Sequence, residues 1–301
     1  MRKTLLLPAA LLLALAACGK KQPAPVATDP PGAAEPAGAA EGEEPVAQLE
    51  SAQTVLPDPH TTDIADLPRA ISLDNDLVKA DITFDEGVFA YAPAMAMDLV
   101  EDARIRLTAT EEDAAAYKEA DPDYFRPYGL RIDWKLTGAA GGLAGLEGFQ
   151  YSYTGGAHGN YFTDGRIYST ITGDELRLAD LFTDPAAAIA AQMAPIHEGI
   201  AREKVFKTNN SAAYDTFLGE AQDAVTPDMV KGGQISLIAS DEAGKLGGYV
   251  IHFGPYEIGS YAEGAYHVAI PQEDFRDFLK PEYTGAFGGK PVALSRPDSK
   301  N

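Results

Sequence analysis

A chain of 301 residues with 45 acidic against 24 basic side chains carries a formal net charge of −21. Nucleic acid and anionic lipid headgroups are poor electrostatic partners for it, whereas a cationic partner is drawn towards it. A single cysteine rules out an internal disulfide, and five histidines without His-x-x-x-His or His-x-His spacing give no zinc signature.

In chain order, Arg2 and Lys3 precede an apolar run that ends at Ala17. The run is short for a membrane-spanning helix and has the form of an export signal, residues 1–17. Leu15-Ala16-Ala17-Cys18 resembles the bacterial lipobox. That resemblance implies lipidation of Cys18 as the first mature residue and a lipid anchor in a membrane. Gly19, where inner-membrane lipoproteins carry aspartate, implies the outer membrane facing the periplasm. A lone thiol in an oxidising compartment is a hazard unless it is used, and lipidation uses it. Residues 18–66 are rich in Pro, Ala, Gly and Glu and lack any helical or strand period. Such a segment buries too little apolar surface to offset its ordering entropy, so it reads as a disordered tether. As a coil its root-mean-square span would be about 40 Å. His60 lies in this tether and is assigned no role.

The body follows, and from residue 67 onward the chain holds 36 acidic and 20 basic residues, a net charge of −16. Val78, Ala80, Ile82 and Phe84 alternate with polar partners, the pattern of a half-buried strand over 77–84. Ala96, Val100, Ala103 and Leu107 form the stripe of an amphipathic helix. Strands are expected at 130–138 and 148–156, joined by a Gly/Ala-rich linker, with Phe149, Tyr151 and Tyr153 on one face. Asp164-Gly165 and Gly173-Asp174 read as hairpin turns flanking a strand between them. Asp184 and Pro185 read as N-cap and first position of a helix with a stripe of Ile189, Met193, Ile196 and Ile200, and a kink at Pro195. Three further strands are expected at 234–240, 249–254 and 264–271. Pro271 then opens a last helix carrying Phe275, Phe278 and Leu279, and the tail 288–301 is expected to be loose.

No strand–helix–strand rhythm recurs. The expected class is therefore α+β, with mostly antiparallel sheets and packed helices, arranged as two small intimate domains at 67–165 and 166–287. Neither a phosphate-binding glycine loop nor a Gly-x-Ser-x-Gly elbow is present. His197 lies beside a helix stripe, and His252 and His267, within strands, read as structural histidines. His158, in the stretch YSYTGGAHGN, is the sharpest candidate for chemistry, because Gly155 and Gly156 would present it on a turn. A general base also needs a nucleophile and an orienting group, and neither is signalled here. An architectural role at a hairpin corner is therefore preferred.

YSYTGGAHGN, then TGDELRLADLF, then HFGPYEIGSYAEGAYHVAIP together resemble the RsiV-like extracytoplasmic domain. The segment from about Ile71 to His158 resembles the accessory domain that precedes it in PdaC-type peptidoglycan deacetylases. The first family implies binding of lysozyme, a small cationic protein; the deacetylase family places catalysis in a separate metal-dependent domain whose motifs this chain lacks. The expected function is thus a non-enzymatic envelope lipoprotein, a binding module for lysozyme-like proteins or peptidoglycan, with no cofactor, metal or catalytic residue assigned. Its candidate binding or signature residues are Tyr151, Tyr153, Gly155, Gly156, His158, Pro255, Tyr256, Glu257 and Tyr261. Two alternatives stand beside it. One is a cell-wall hydrolase or transferase using His158 with Glu257 or Asp180; the other is a structural envelope protein without a soluble ligand.

Overall fold

The computed structural model describes residues 63–292. The export signal, Cys18, His60 and the rest of the tether up to residue 62, and residues 293–301, lie outside the described residues. Strands β1 (Ala70–Asp74) and β2 (Val78–Phe84) form an antiparallel hairpin. Its turn is built by Asn75, whose side-chain oxygen accepts the backbone N–H groups of Leu77 and Val78 at 2.9 and 2.8 Å. Two helices follow, α1 (Glu86–Tyr91) and α2 (Pro93–Ala120). The chain then returns as β3 (Tyr128–Ala140), parallel to β2. One crossover unit therefore exists where no strand–helix–strand rhythm was expected, because a single such unit creates no repeat to detect.

Strands β4 (Leu143–Tyr153), β5 (Asn160–Ser169) and β6 (Glu175–Leu176) complete a mixed six-stranded sheet in the order β1-β2-β3-β4-β5-β6. Alternation decides its faces. Val78, Ile82, Ile132, Trp134, Ala144 and Leu146 are buried beneath α2, against Ala96, Leu99, Val100 and Ala103. Leu143 and Ile167 point the other way, into a second core.

That second core lies under a smaller sheet. Helices α3 (Pro185–Thr208), α4 (Tyr214–Ala224) and α5 (Pro227–Gly232) lead into β7 (Gln234–Ala239), β8 (Leu246–Phe253) and β9 (Tyr266–Pro271), an antiparallel three-stranded sheet. Every residue of β8 is buried, because the large sheet covers one face and α3 the other. The layers thus run α2, six-stranded sheet, three-stranded sheet, α3, and the α+β class holds.

The stacking of the two sheets explains two expectations that the structure overturns. Asp164-Gly165 is not a turn but the middle of β5, so the domain boundary placed between 165 and 166 falls inside a strand. A Cβ on Gly165 would lie 2.6 Å from the backbone nitrogen of Ile235, and one on Gly145 2.3 Å from the carbonyl oxygen of Leu237. These glycines let β7 pass at backbone contact. For the same reason the Gly/Ala-rich linker between the two expected strands is itself strand, reduced to a two-residue turn at Gly141 and Gly142, both at positive φ.

Gly173, at φ +78, does form a turn. Helix α3 starts on the Asp184 cap, runs through Pro195 and ends on Asn209 in the left-handed region. The helix expected from Pro271 is instead two successive 3-10 turns, Gln272–Asp274 and Arg276–Phe278, before a short α6 (Pro281–Thr284). Residues 288–292 are not loose. Gly288 N–H bonds the Leu246 carbonyl, and Val292 N–H bonds that of Ala239.

Candidate aromatic binding site

The turn between β4 and β5 carries the first motif. Gly155 sits at φ +91, a conformation that glycine adopts without strain, and it sends the chain outward past Gly156 to an exposed His158. The imidazole is not free. Its Nδ1 donates to the Gly159 carbonyl at 3.0 Å, which fixes the proton on that nitrogen. Its ring stacks on Tyr261 with centroids 4.1 Å apart and planes at 23°. The Tyr261 hydroxyl donates to the same Gly159 carbonyl.

Tyr261 belongs to the loop between β8 and β9, about a hundred residues away in sequence. Tyr256 also packs on it, with ring centroids 5.5 Å apart, so Tyr261 touches both the imidazole and a second phenol. Tyr256 is 67% exposed and lies at φ +73, a strained conformation for a side chain of that size. Glu257 beside it is exposed and Pro255 half-buried. Tyr161 supports the assembly from below: its ring meets Phe149 at 5.9 Å and Tyr261 at 6.1 Å, and its hydroxyl accepts the Ala265 N–H at 3.2 Å. Tyr151 lies opposite Tyr161 in the β4–β5 register, with its ring where a Cβ on Gly159 would stand.

The loop is latched to α3. Glu263 accepts from Ser260 N–H at 2.9 Å, from the Ser260 hydroxyl and from Tyr266, and Lys204 stands 3.6 Å away. Burial pushes the Glu263 carboxyl up, but the hydrogen bonds from Tyr266 and Ser260, with the Lys204 charge, outweigh it and hold the group at about 2. Lys207 donates to the carbonyls of Glu263 and Ala265 and lies over the Tyr266 ring.

The structure therefore brings together Tyr151, His158, Tyr256 and Tyr261, with Pro255 and Glu257 on the same loop and Tyr153, Gly155 and Gly156 at the strand end beside them. Asp180 is committed elsewhere, closing its own turn by accepting the Arg177 N–H. Tyr161, Glu263, Lys204 and Lys207 were not singled out by the sequence. Tyr161 was legible as the cross-strand partner of Tyr151 once a hairpin is drawn.

A second histidine cluster lies between the sheets. His252 and His267 are cross-strand partners whose Nδ1 atoms meet at 2.8 Å, one donating and the other accepting. Ser236 Oγ lies 2.8 Å from His252 Nε2, and Glu147 stands 3.9 Å from that nitrogen while pairing Lys135 at 2.8 Å. Burial, reinforced by Lys135 near His252 and by the mutual proximity of the rings at His267, keeps both imidazoles far below their ordinary range. The serine–histidine contact has the spacing of a nucleophile and base, but Ser236 is fully buried. Hydrogen bonds tie both histidines into the fold, and His197 is bonded at 3.0 Å to the Val225 carbonyl. Among the described residues no group of three or more His, Cys, Asp or Glu is placed to hold a metal, and no helix is long and apolar enough to cross a membrane.

Two layered sheets between helices, with an aromatic wall joining the end of one to a loop of the other, define an α+β body whose most developed surface is a stack of rings. No family model and no curated protein matches the chain. Among solved structures, it is similar to a DUF3298 (RsiV-like) family member from Bacteroides fragilis, with a TM-score of 0.44 at 17% identity, covering 72% of this chain and 95% of that one. A DUF3298 family protein from Pseudomonas aeruginosa PAO1 gives a TM-score of 0.42 at 18% identity, covering 72% and 91%. The likeness concerns the fold alone.

Proposed function

We propose that this chain is a non-enzymatic lipoprotein of the bacterial cell envelope, anchored through Cys18, whose body binds a cationic protein of the lysozyme kind on the wall of His158, Tyr261 and Tyr256. One observation carries the reading: two sequence motifs a hundred residues apart converge on a single stacked aromatic surface, latched from behind by Lys204, Lys207 and Glu263. An exposed tyrosine face beside the exposed Glu257 suits the ammonium or guanidinium of a basic protein. The net charge of −16 from residue 67 onward raises the association rate of such a partner. Anchoring supports the same reading, since a tethered module samples the periplasm while remaining at its membrane.

The test is retention of lysozyme by the purified protein across a salt series. Retention at low salt that falls as salt rises is expected, with Tyr256→Ala and Glu257→Gln weakening it by about tenfold together. No retention at low salt overturns the reading. Cys18→Ala is expected to release the protein from membranes, and persistence in the membrane fraction would overturn the anchor.

A further inference from the structure

The face of the large sheet that lies beneath α2 holds a recess, open between that helix and strands β3 to β5. Leu99 and Ala103 of α2 and Ile132 of β3 line it with apolar surface, and about 230 Å³ of space lies above them, partly open to solvent. Gln150 precedes Tyr151 on β4 and so points to the opposite face. The recess therefore shares no residue with the aromatic wall.

Asp102 and Arg106 stand four residues apart on α2, the spacing at which an acid and a base pair along a helix. They do not pair. Arg106 Nη1 instead donates to Gln150 Oε1, which draws the guanidinium towards the sheet. Gln150 is 5% exposed, so packing holds the amide that does this. Among the described residues, Arg106 Nε and Nη2 are left without an acceptor, and the exposed Asp102 is left without a cation.

Arg166 lines the same recess but is already neutralised. Asp164 accepts from its Nε and Nη2 at 3.3 and 3.1 Å, and Glu175 stands 3.7 Å from Nη1. Its guanidinium lies 5.2 Å from the ring centre of Trp134 and walls one side. Trp134 is 4% exposed; its indole N–H has no acceptor among the described residues, yet it is not sealed from solvent. The recess thus offers one free cation, one free carboxylate, an unused indole donor and an apolar floor.

That set is the complement of a small zwitterion with an aliphatic part. We infer that this recess binds a small aliphatic α-amino acid. The ligand carboxylate meets Arg106 and the Trp134 indole N–H, the ammonium meets Asp102, and the side chain rests on Leu99 and Ala103. A zwitterion has no net charge, so the acidic body does not repel it as it repels an organic acid or a phosphate. For a ligand of about six heavy atoms, an affinity of about 1 mM is expected.

The chain has one tryptophan, so the indole N–H signal in a proton–nitrogen NMR spectrum of the full chain reports on this site alone. L-Alanine is titrated, with propionate, ethylamine and inorganic phosphate as comparators. A saturable shift with L-alanine is expected, with affinities at least about tenfold weaker for the other three. Arg106→Gln should abolish the shift. Asp102→Asn should bring L-alanine down to the affinity of propionate without weakening propionate. Both side chains are exposed, and circular dichroism checks that the variants fold; if Arg106→Gln is unfolded, Asp102→Asn decides. No saturable shift with L-alanine, equal affinity for propionate or ethylamine, or full affinity in either folded variant overturns the inference. Tighter binding of phosphate than of L-alanine would make the recess an anion site and overturn it as well. L-Alanine can bind where lysozyme is not retained, and the reverse, so this inference and the proposed function fail separately.

Discussion

His158 and the His252–His267 pair are the same side chain under opposite conditions. His158 stands in solvent at a strand end, its ring on Tyr261 and its Nδ1–H on a carbonyl. The pair lies between two sheets, with its two Nδ1 atoms bonded to each other and His252 Nε2 to Ser236. The difference lies in what depends on each. Around the buried pair, three strands and the stacking of two sheets rely on a satisfied polar cluster in a low-dielectric place, where every unmet bond is expensive. Around His158, one turn and one loop meet, and water can replace what the imidazole supplies.

The sharpest way to break the comparison is to delete a ring from each site. His252→Ala leaves a void over Gly165 and strips partners from the buried Ser236 and the half-buried His267. A loss of about 3 kcal/mol is expected from the cavity and the orphaned polar groups, read by urea unfolding. A loss no larger than that of His158→Ala would mean that the cluster is not a structural element.

Acid should separate the same sites next. Unfolded imidazoles take up protons near pH 6.5, whereas burial keeps the folded pair neutral to far lower pH. The unfolded state therefore binds more protons below that value. The stability contributed by the pair is complete above about pH 6.5 and declines as pH falls beneath it. Glu263 acts in a lower window: with its folded value held at about 2, its contribution is complete above the ordinary glutamate range, near 4.5, and is lost as pH falls towards 2. His267→Leu should flatten the first decline and leave the second. An unchanged slope between pH 6 and 5 in that variant would refute the assignment.

What could be seen in advance follows the range of the interaction. Alternation of Val78, Ala80, Ile82 and Phe84, and the stripe Ala96, Val100, Ala103 and Leu107, are local periodicities, and all eight residues are buried where the pattern places them. Gly165 shows the limit. A turn and a close crossing both call for glycine, and nothing near residue 165 reveals that Ile235 passes overhead. The aromatic wall is a similar case. Its residues stand out in the two motifs, but the stacking of His158 on Tyr261 is a product of topology. Lys204 and Lys207 escaped notice because each sits on a long helix among charged neighbours, where a buried lysine and a solvated one read alike.

A milder cut lies in the latch that holds the wall. Glu263→Gln keeps the shape of the side chain and removes the charge facing Lys204 and the strong acceptor for Tyr266 and Ser260. A cost of about 1 kcal/mol is expected, with faster amide exchange confined to residues 255–265. Exchange that quickens across β8 as well would show that the loop and the sheet open as one unit.

The smallest stability effect is expected at the residue that stands out most in the sequence. His158→Ala removes one stacked ring and one hydrogen bond at an exposed position, and the Gly159 carbonyl keeps its bond from Tyr261. The change in unfolding free energy should stay within about 0.5 kcal/mol. Lysozyme retention is the more sensitive readout, because without the imidazole Tyr261 keeps its contact with Tyr256 and loses its stacked neighbour. His158→Phe restores a flat ring but no ring nitrogen. Retention recovered by that substitution would place the role of His158 in the shape of the wall. Retention lost in both variants would place it in the ring nitrogens, through the Nδ1 bond to Gly159 or through Nε2.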